Sequence, residues 1–168
     1  MPVSKYKVND SAQCFANQSF VFTDMSSISS GTYTRKWIFA DSNSNRPIVT
    51  RKFTPDTTHY ITLVATSNFG CLDTFKNKVT VHSMPKVLYT PSDTSMCFNQ
   101  NTFTYTNKSG IRKGKLSYKW TYADTKSDTV KSPTHVFASF GNYLVKLVAT
   151  SEKGCKDSFS KTTYVRPM

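Results

Sequence analysis

Four cysteines carry most of the reactive chemistry in this chain. Cys14, Cys71, Cys97 and Cys155 can pair as disulfides in three ways, remain as buried thiols, or together bind zinc. Zinc is disfavoured, because zinc sites of this kind use closely spaced cysteine knuckles and none is present. The histidines His59, His82 and His135 stand at no informative spacing from a nucleophile. Asp41 and Asp124 follow the two tryptophan segments, where an aspartate ordinarily caps its own turn. The ten acids are too dispersed for a calcium cage, which needs several oxygen ligands. Neither metal nor cofactor is expected, and no catalytic constellation emerges.

The other candidate is a basic run: Lys108, Arg112, Lys113, Lys115 and Lys119, with Tyr118 among them. The net charge of +12 is unequally shared, about +4 before residue 85 and +8 after it. Such a cluster attracts polyanions, for example an acidic polysaccharide. It equally suits a lysine-rich surface that keeps edge strands from pairing. Tyr118, Phe69 and Phe140 are further contact candidates, because the repeat described next does not demand an aromatic residue there.

The positioning elements come in two copies. Placed at a shift of 83, Cys14-Phe15 falls on Cys97-Phe98, Phe20 on Phe103, Phe22 on Tyr105 and Trp37 on Trp120. After one inserted residue, Leu63-Val64-Ala65-Thr66-Ser67 falls on Leu147-Val148-Ala149-Thr150-Ser151, and Gly70-Cys71 on Gly154-Cys155. Self-similarity of this extent marks a tandem duplication, with modules at 1–84 and 85–168. The repeat favours the pairings Cys14–Cys71 and Cys97–Cys155, giving each module the same internal bridge. Closing a loop of that size stabilises by about 4 kcal/mol in the chain-entropy model.

Each copy reads as short strands. Thr102-Phe103-Thr104-Tyr105-Thr106 alternates polar and apolar residues, the period of a half-buried strand. Thr, Val, Tyr and Phe abound, and turn-rich stretches such as Asp41-Ser42-Asn43-Ser44-Asn45 separate the strands. Several strands without a helical stretch predict an all-β chain of two immunoglobulin-like antiparallel sandwiches. Phe20, Phe22, Trp37 and Leu63 form the expected core of the first, and Phe103, Tyr105, Trp120 and Leu147 that of the second.

Trp120-Thr121-Tyr122-Ala123-Asp124, then Gly141-Asn142-Tyr143-Leu144-Val145-Lys146-Leu147, then Gly154-Cys155-Lys156-Asp157, resemble the PKD (polycystic kidney disease) domain. The closest likeness is to the variety repeated in Bacteroidetes-type surface proteins, where Gly-Cys-x-Asp closes each module. That resemblance implies two PKD-type sandwiches serving as a non-catalytic spacer or adhesion segment of a large secreted or surface protein, gliding-motility adhesins among them. It also implies a glycan-binding accessory module as the alternative. The family's Trp-x-Phe-Gly-Asp-Gly turn lacks both glycines here, so a longer or differently shaped turn is expected.

Disulfides imply an oxidising compartment, so an extracellular or outer-surface location is expected. Met1-Pro2-Val3-Ser4-Lys5 is unlike a signal peptide, so the protein is either cytosolic or a piece of a longer secreted chain, and the cysteines favour the second. Expected partners are other domains of that chain, and a surface polysaccharide or another cell-surface protein. Nucleic acid is not expected, nor membrane insertion, since no apolar run approaches the roughly 18 residues a span requires.

Overall fold

The computed structural model describes residues 1–168 as two compact units, Met1–His82 and Ser83–Met168. The first contains β1 (Pro2–Val3), β2 (Tyr6–Val8), β3 (Ala12–Cys14), β4 (Phe20–Asp24) and β5 (Ser27–Ile28). It continues with β6 (Tyr33–Ile38), β7 (Asn43–Ser44), β8 (Ile48–Arg51), β9 (Thr58–Ser67) and β10 (Leu72–His82). The second contains β11 (Tyr89–Pro91), β12 (Ser95–Cys97), β13 (Thr102–Asn107) and β14 (Leu116–Thr121). After these come β15 (Ser127–Asp128), β16 (Thr134–Val136), β17 (Gly141–Ser151) and β18 (Lys156–Arg166). A single 3-10 turn follows β3 and another follows β12.

Each unit faces a five-stranded sheet with a three-stranded one. The orders are β3-β10-β9-β6-β7 against β2-β4-β8, and β12-β18-β17-β14-β15 against β11-β13-β16. The first unit adds the small pair β1-β5. Inward-facing residues of both sheets interlock as aromatic cores. Phe20 and Phe22 on β4 meet Trp37 on β6 and Ile61 and Leu63 on β9, and all five are fully buried. Phe103, Tyr105, Trp120 and Leu147 do the same in the second unit. The sandwich is all-β and immunoglobulin-like.

Buried polar groups are bonded in equivalent ways in both copies. Trp37 Nε1 donates to the Arg46 carbonyl at 2.8 Å, and Trp120 Nε1 to that of Val130 at 3.0 Å. The Tyr6 and Tyr89 hydroxyls donate across the core to the carbonyls of Ile61 and Val145. Burial pushes the Tyr6 phenol up to about 12 and the Tyr89 phenol up as well, so neither ionises at ordinary pH. The aspartates of the closing motif anchor the entering chain. Asp73 accepts from the Ser4 amide at 2.6 Å, and Asp157 from the Val87 amide at 3.4 Å.

The intramodule bridges are not formed, and strand register is the reason. Cys14 lies beside His82, the last residue of β10, whereas Cys71 immediately precedes the first. At ~3.3 Å per residue an eleven-residue strand separates them by about 33 Å; a disulfide requires Cα atoms within about 7 Å. Cys97, beside Arg166, and Cys155, just before Lys156, are equally separated along β18. Cys71 and Cys97 carry free, exposed thiols, while Cys14 and Cys155 are disulfide-bonded.

The turn after β14 closes on itself without glycine. The Thr125 amide donates to the Tyr122 carbonyl, and the Tyr122 amide to that of Lys126. This places Thr125 at φ +71°, a left-handed conformation costly for a β-branched residue. Replacing Thr125 with glycine is expected to stabilise the second unit by about 1 kcal/mol, after the entropic cost of glycine. A thermal scan should show its melting temperature rise by roughly 4–8 °C.

Candidate functional site

The structure places His135 against Asp124, a pairing that their separation in sequence conceals. His135 on β16 lies with its Nε2 2.8 Å from Asp124 Oδ2, and its ring stacks on Tyr122 at 3.8 Å. Both side chains are nearly buried. The Tyr122 hydroxyl is buried without a hydrogen-bond partner, and burial raises its pKa. The corresponding positions in the first unit hold Arg51, Asp41 and Phe39. Arg51 pairs with Asp41 and lies over the Phe39 ring at 4.9 Å. The repeat was the signal that could have revealed this: Arg51 falls on His135 and Asp41 on Asp124. In both units a basic side chain, a carboxylate and an aromatic ring clamp the turn to a strand of the smaller sheet. Stacked and held in this way, His135 is a structural clamp with no nucleophile beside it.

The other histidines are separate. His59 stacks on Phe53 and is bonded to the Pro55 carbonyl, and His82 ends β10. A further cluster joins Asp24 to Arg35 at 2.6 Å and to the Tyr33 hydroxyl at 3.1 Å. Burial alone would raise the Asp24 carboxyl. Hydrogen bonds from Ser26, Arg35 and Tyr33 outweigh that and hold it below the ordinary carboxylate range.

The basic run does not form one patch. Lys108 and Arg112 line a groove of about 470 Å³ together with Lys86, Leu88, Ile111 and Met84. Lys86 and Gly110 pair their backbones there. Lys115 borders a separate shallow hollow with Glu152. Lys119 stands on the solvent face of β14, opposite Val148. Lys113 is exposed on the loop between these places. Tyr118 points the other way and packs against the core. Lys86 was missed in the sequence because it lies more than twenty positions before the run, and strand pairing alone brings it in.

The profile of the PKD domain matches residues 82–167, just over half of the chain. The chain belongs to the PKD domain family. Among solved structures it is similar to the PKD1 domain of Vibrio anguillarum Epp, at 22% identity and a TM-score of 0.45. That match covers 51% of this chain and 96% of that one. It is also similar to the PKD1 domain of the Vibrio cholerae metalloprotease PrtV, at 24% identity and a TM-score of 0.44. There the shares are 49% of this chain and 96% of that one. Carbohydrate-binding modules of the β-sandwich superfamily align over 98% of this chain and 84% of theirs, at 13% identity and a TM-score of 0.44. No curated protein matches the chain. The matched residues include the Trp120 segment and the Gly154-Cys155-Lys156-Asp157 closing turn. No helix is long and apolar enough to cross a membrane.

Proposed function

We propose that the chain is a tandem pair of PKD-type modules serving as a load-bearing spacer or adhesion segment of an extracellular or surface protein, without catalytic activity of its own. The observation that carries this reading is the parallel pairing of an early strand with the last strand in each unit. Ala12, Gln13 and Cys14 pair with Thr80, Val81 and His82. Ser95, Met96 and Cys97 pair with Tyr164, Val165 and Arg166. Pulling the two ends of a unit apart slides such parallel strands against each other. All their hydrogen bonds are then loaded together rather than broken one at a time. The Thr80 amide donates to the Ser11 carbonyl at 2.8 Å and the Tyr164 amide to that of Thr94 at 2.9 Å, extending both clamps. The disulfide and the PKD relationship support an extracellular setting.

Single-molecule pulling of the reduced chain should give two abrupt unfolding events. Each should release roughly 80 residues, or about 280 Å at ~3.5 Å per residue. Thr80→Pro removes one clamp donor and should lower the force of one event only. A gradual extension without force peaks would defeat the reading.

A second reading is favoured by the groove of Lys86, Lys108 and Arg112, whose apolar floor and cationic rim suit an anionic polysaccharide. Lys113, Lys115 and Lys119 would then contribute only long-range attraction. Binding to a sulfated or uronic-acid polysaccharide should weaken steeply with salt. The pair Lys86→Glu and Arg112→Glu should reduce it at least about tenfold, whereas Lys119→Glu should not. Equal losses for both sets, measured by titration calorimetry, would remove the groove from consideration.

A further inference from the structure

The two free thiols are not equivalent to each other; each is equivalent to a cysteine that is already oxidised. Cys14 and Cys97 are both strand-end cysteines, each running into a 3-10 turn that starts with phenylalanine. Cys71 and Cys155 are both hairpin cysteines, each following a left-handed glycine. Their amides donate to the side-chain hydroxyls of Ser67 and Ser151, at 3.0 Å and 3.1 Å. Cys14 and Cys155 are disulfide-bonded. What stays free is one cysteine of each kind, Cys97 and Cys71.

A second observation marks the same two places. Phe98, the chain neighbour of Cys97, lines an apolar hollow of about 380 Å³ with Phe140, Pro167 and Met168, and Phe140 is 64% exposed. On either side of Cys71, Phe69 is 80% and Leu72 60% exposed. The repeat counterparts of Phe69 and Leu72 are Lys153 and Lys156, so the hairpin of the oxidised cysteine lacks this apolar flank. Large exposed apolar side chains grouped around a reactive group mark an interaction surface.

We propose that Cys97 of one copy of this chain and Cys71 of a second copy form an intermolecular disulfide, with the Phe98–Phe140 hollow receiving the Phe69–Leu72 hairpin. The partners are unlike, so the contact is head-to-tail and repeats into oligomers. A low-molecular-weight disulfide is the oxidant. The Cys97 thiolate attacks it, giving a mixed disulfide and one small thiol. The Cys71 thiolate then attacks the protein sulfur of that mixed disulfide and displaces the second small thiol, so two protein thiols are oxidised as one small disulfide is reduced. This proposal is independent of the mechanical and glycan readings.

The test uses the single variants Cys71→Ser and Cys97→Ser, both at exposed positions. Each is incubated with oxidised glutathione, alone and mixed, and followed by non-reducing electrophoresis and peptide mass mapping. Each variant alone should remain monomeric. The mixture should yield a dimer about tenfold more abundant than in either separate sample, containing a linked Cys71–Cys97 peptide. Phe140→Ser in the Cys71→Ser chain should slow its formation. Homodimers of equal yield, or monomers carrying only glutathione, would overturn the proposal.

Discussion

Replacing Trp120 with alanine should strip the second unit of much of its stability and leave the first intact. Trp120 is fully buried between the sheets, in ring contact with Tyr89 at 4.9 Å and Tyr105 at 5.8 Å. Truncating such a side chain costs about 3–5 kcal/mol through lost burial and the cavity left behind. The substitution also leaves the Val130 carbonyl without its indole donor. A unit of this size holds only roughly 4–13 kcal/mol of total stability, so one residue removes much of it. The two tryptophans divide the readout, since Trp37 belongs to the first unit. In the Trp120→Ala chain, Trp37 fluorescence should follow an unchanged urea transition. Circular dichroism should show the second unit's share of strand signal lost at a lower urea concentration, and a single coincident transition for both probes would contradict this. Trp120→Phe should retain most of the packing and cost less.

Asn101→Leu is the second large effect, although Asn101 touches no ligand and makes no charge pair. Its amide acts as a strand edge for one residue. Nδ2 donates to the Phe137 carbonyl at 3.2 Å, and Oδ1 accepts from the Phe137 amide at 2.7 Å. Gln18 forms the same pair of bonds with Phe53, at 2.7 Å and 2.8 Å. Both amides are buried. Leucine has nearly the same volume but can satisfy neither backbone group. Each orphaned buried group costs about 1–3 kcal/mol, so the substitution should cost roughly 2–6 kcal/mol. Chemical denaturation should show the midpoint of the second unit falling while its slope stays constant. Native-state hydrogen exchange should show the Phe137 amide losing protection first. A loss below about 1 kcal/mol would mean that water replaces the amide.

Core membership was legible in the chain before folding, because it depends on local alternation and on a repeat that a linear comparison detects. Phe20, Phe22, Trp37 and Leu63, like Phe103, Tyr105, Trp120 and Leu147, are apolar at a strand period, and any sandwich made from those strands must bury them. Pairings between distant segments obey no such local rule. The symmetric bridges Cys14–Cys71 and Cys97–Cys155 satisfied the repeat, but β10 and β18 are long, and the parallel register places the partners at opposite ends of them. The His135–Asp124 clamp and the recruitment of Lys86 to the groove likewise depend on which strands are neighbours. Gln18 and Asn101 looked like ordinary polar residues after a turn, and only the tertiary structure shows each standing in for a missing strand. The four cysteines were therefore legible as two kinds of position but not as bonds. Position is set by local sequence, whereas a disulfide is set by a distance that only the folded register defines.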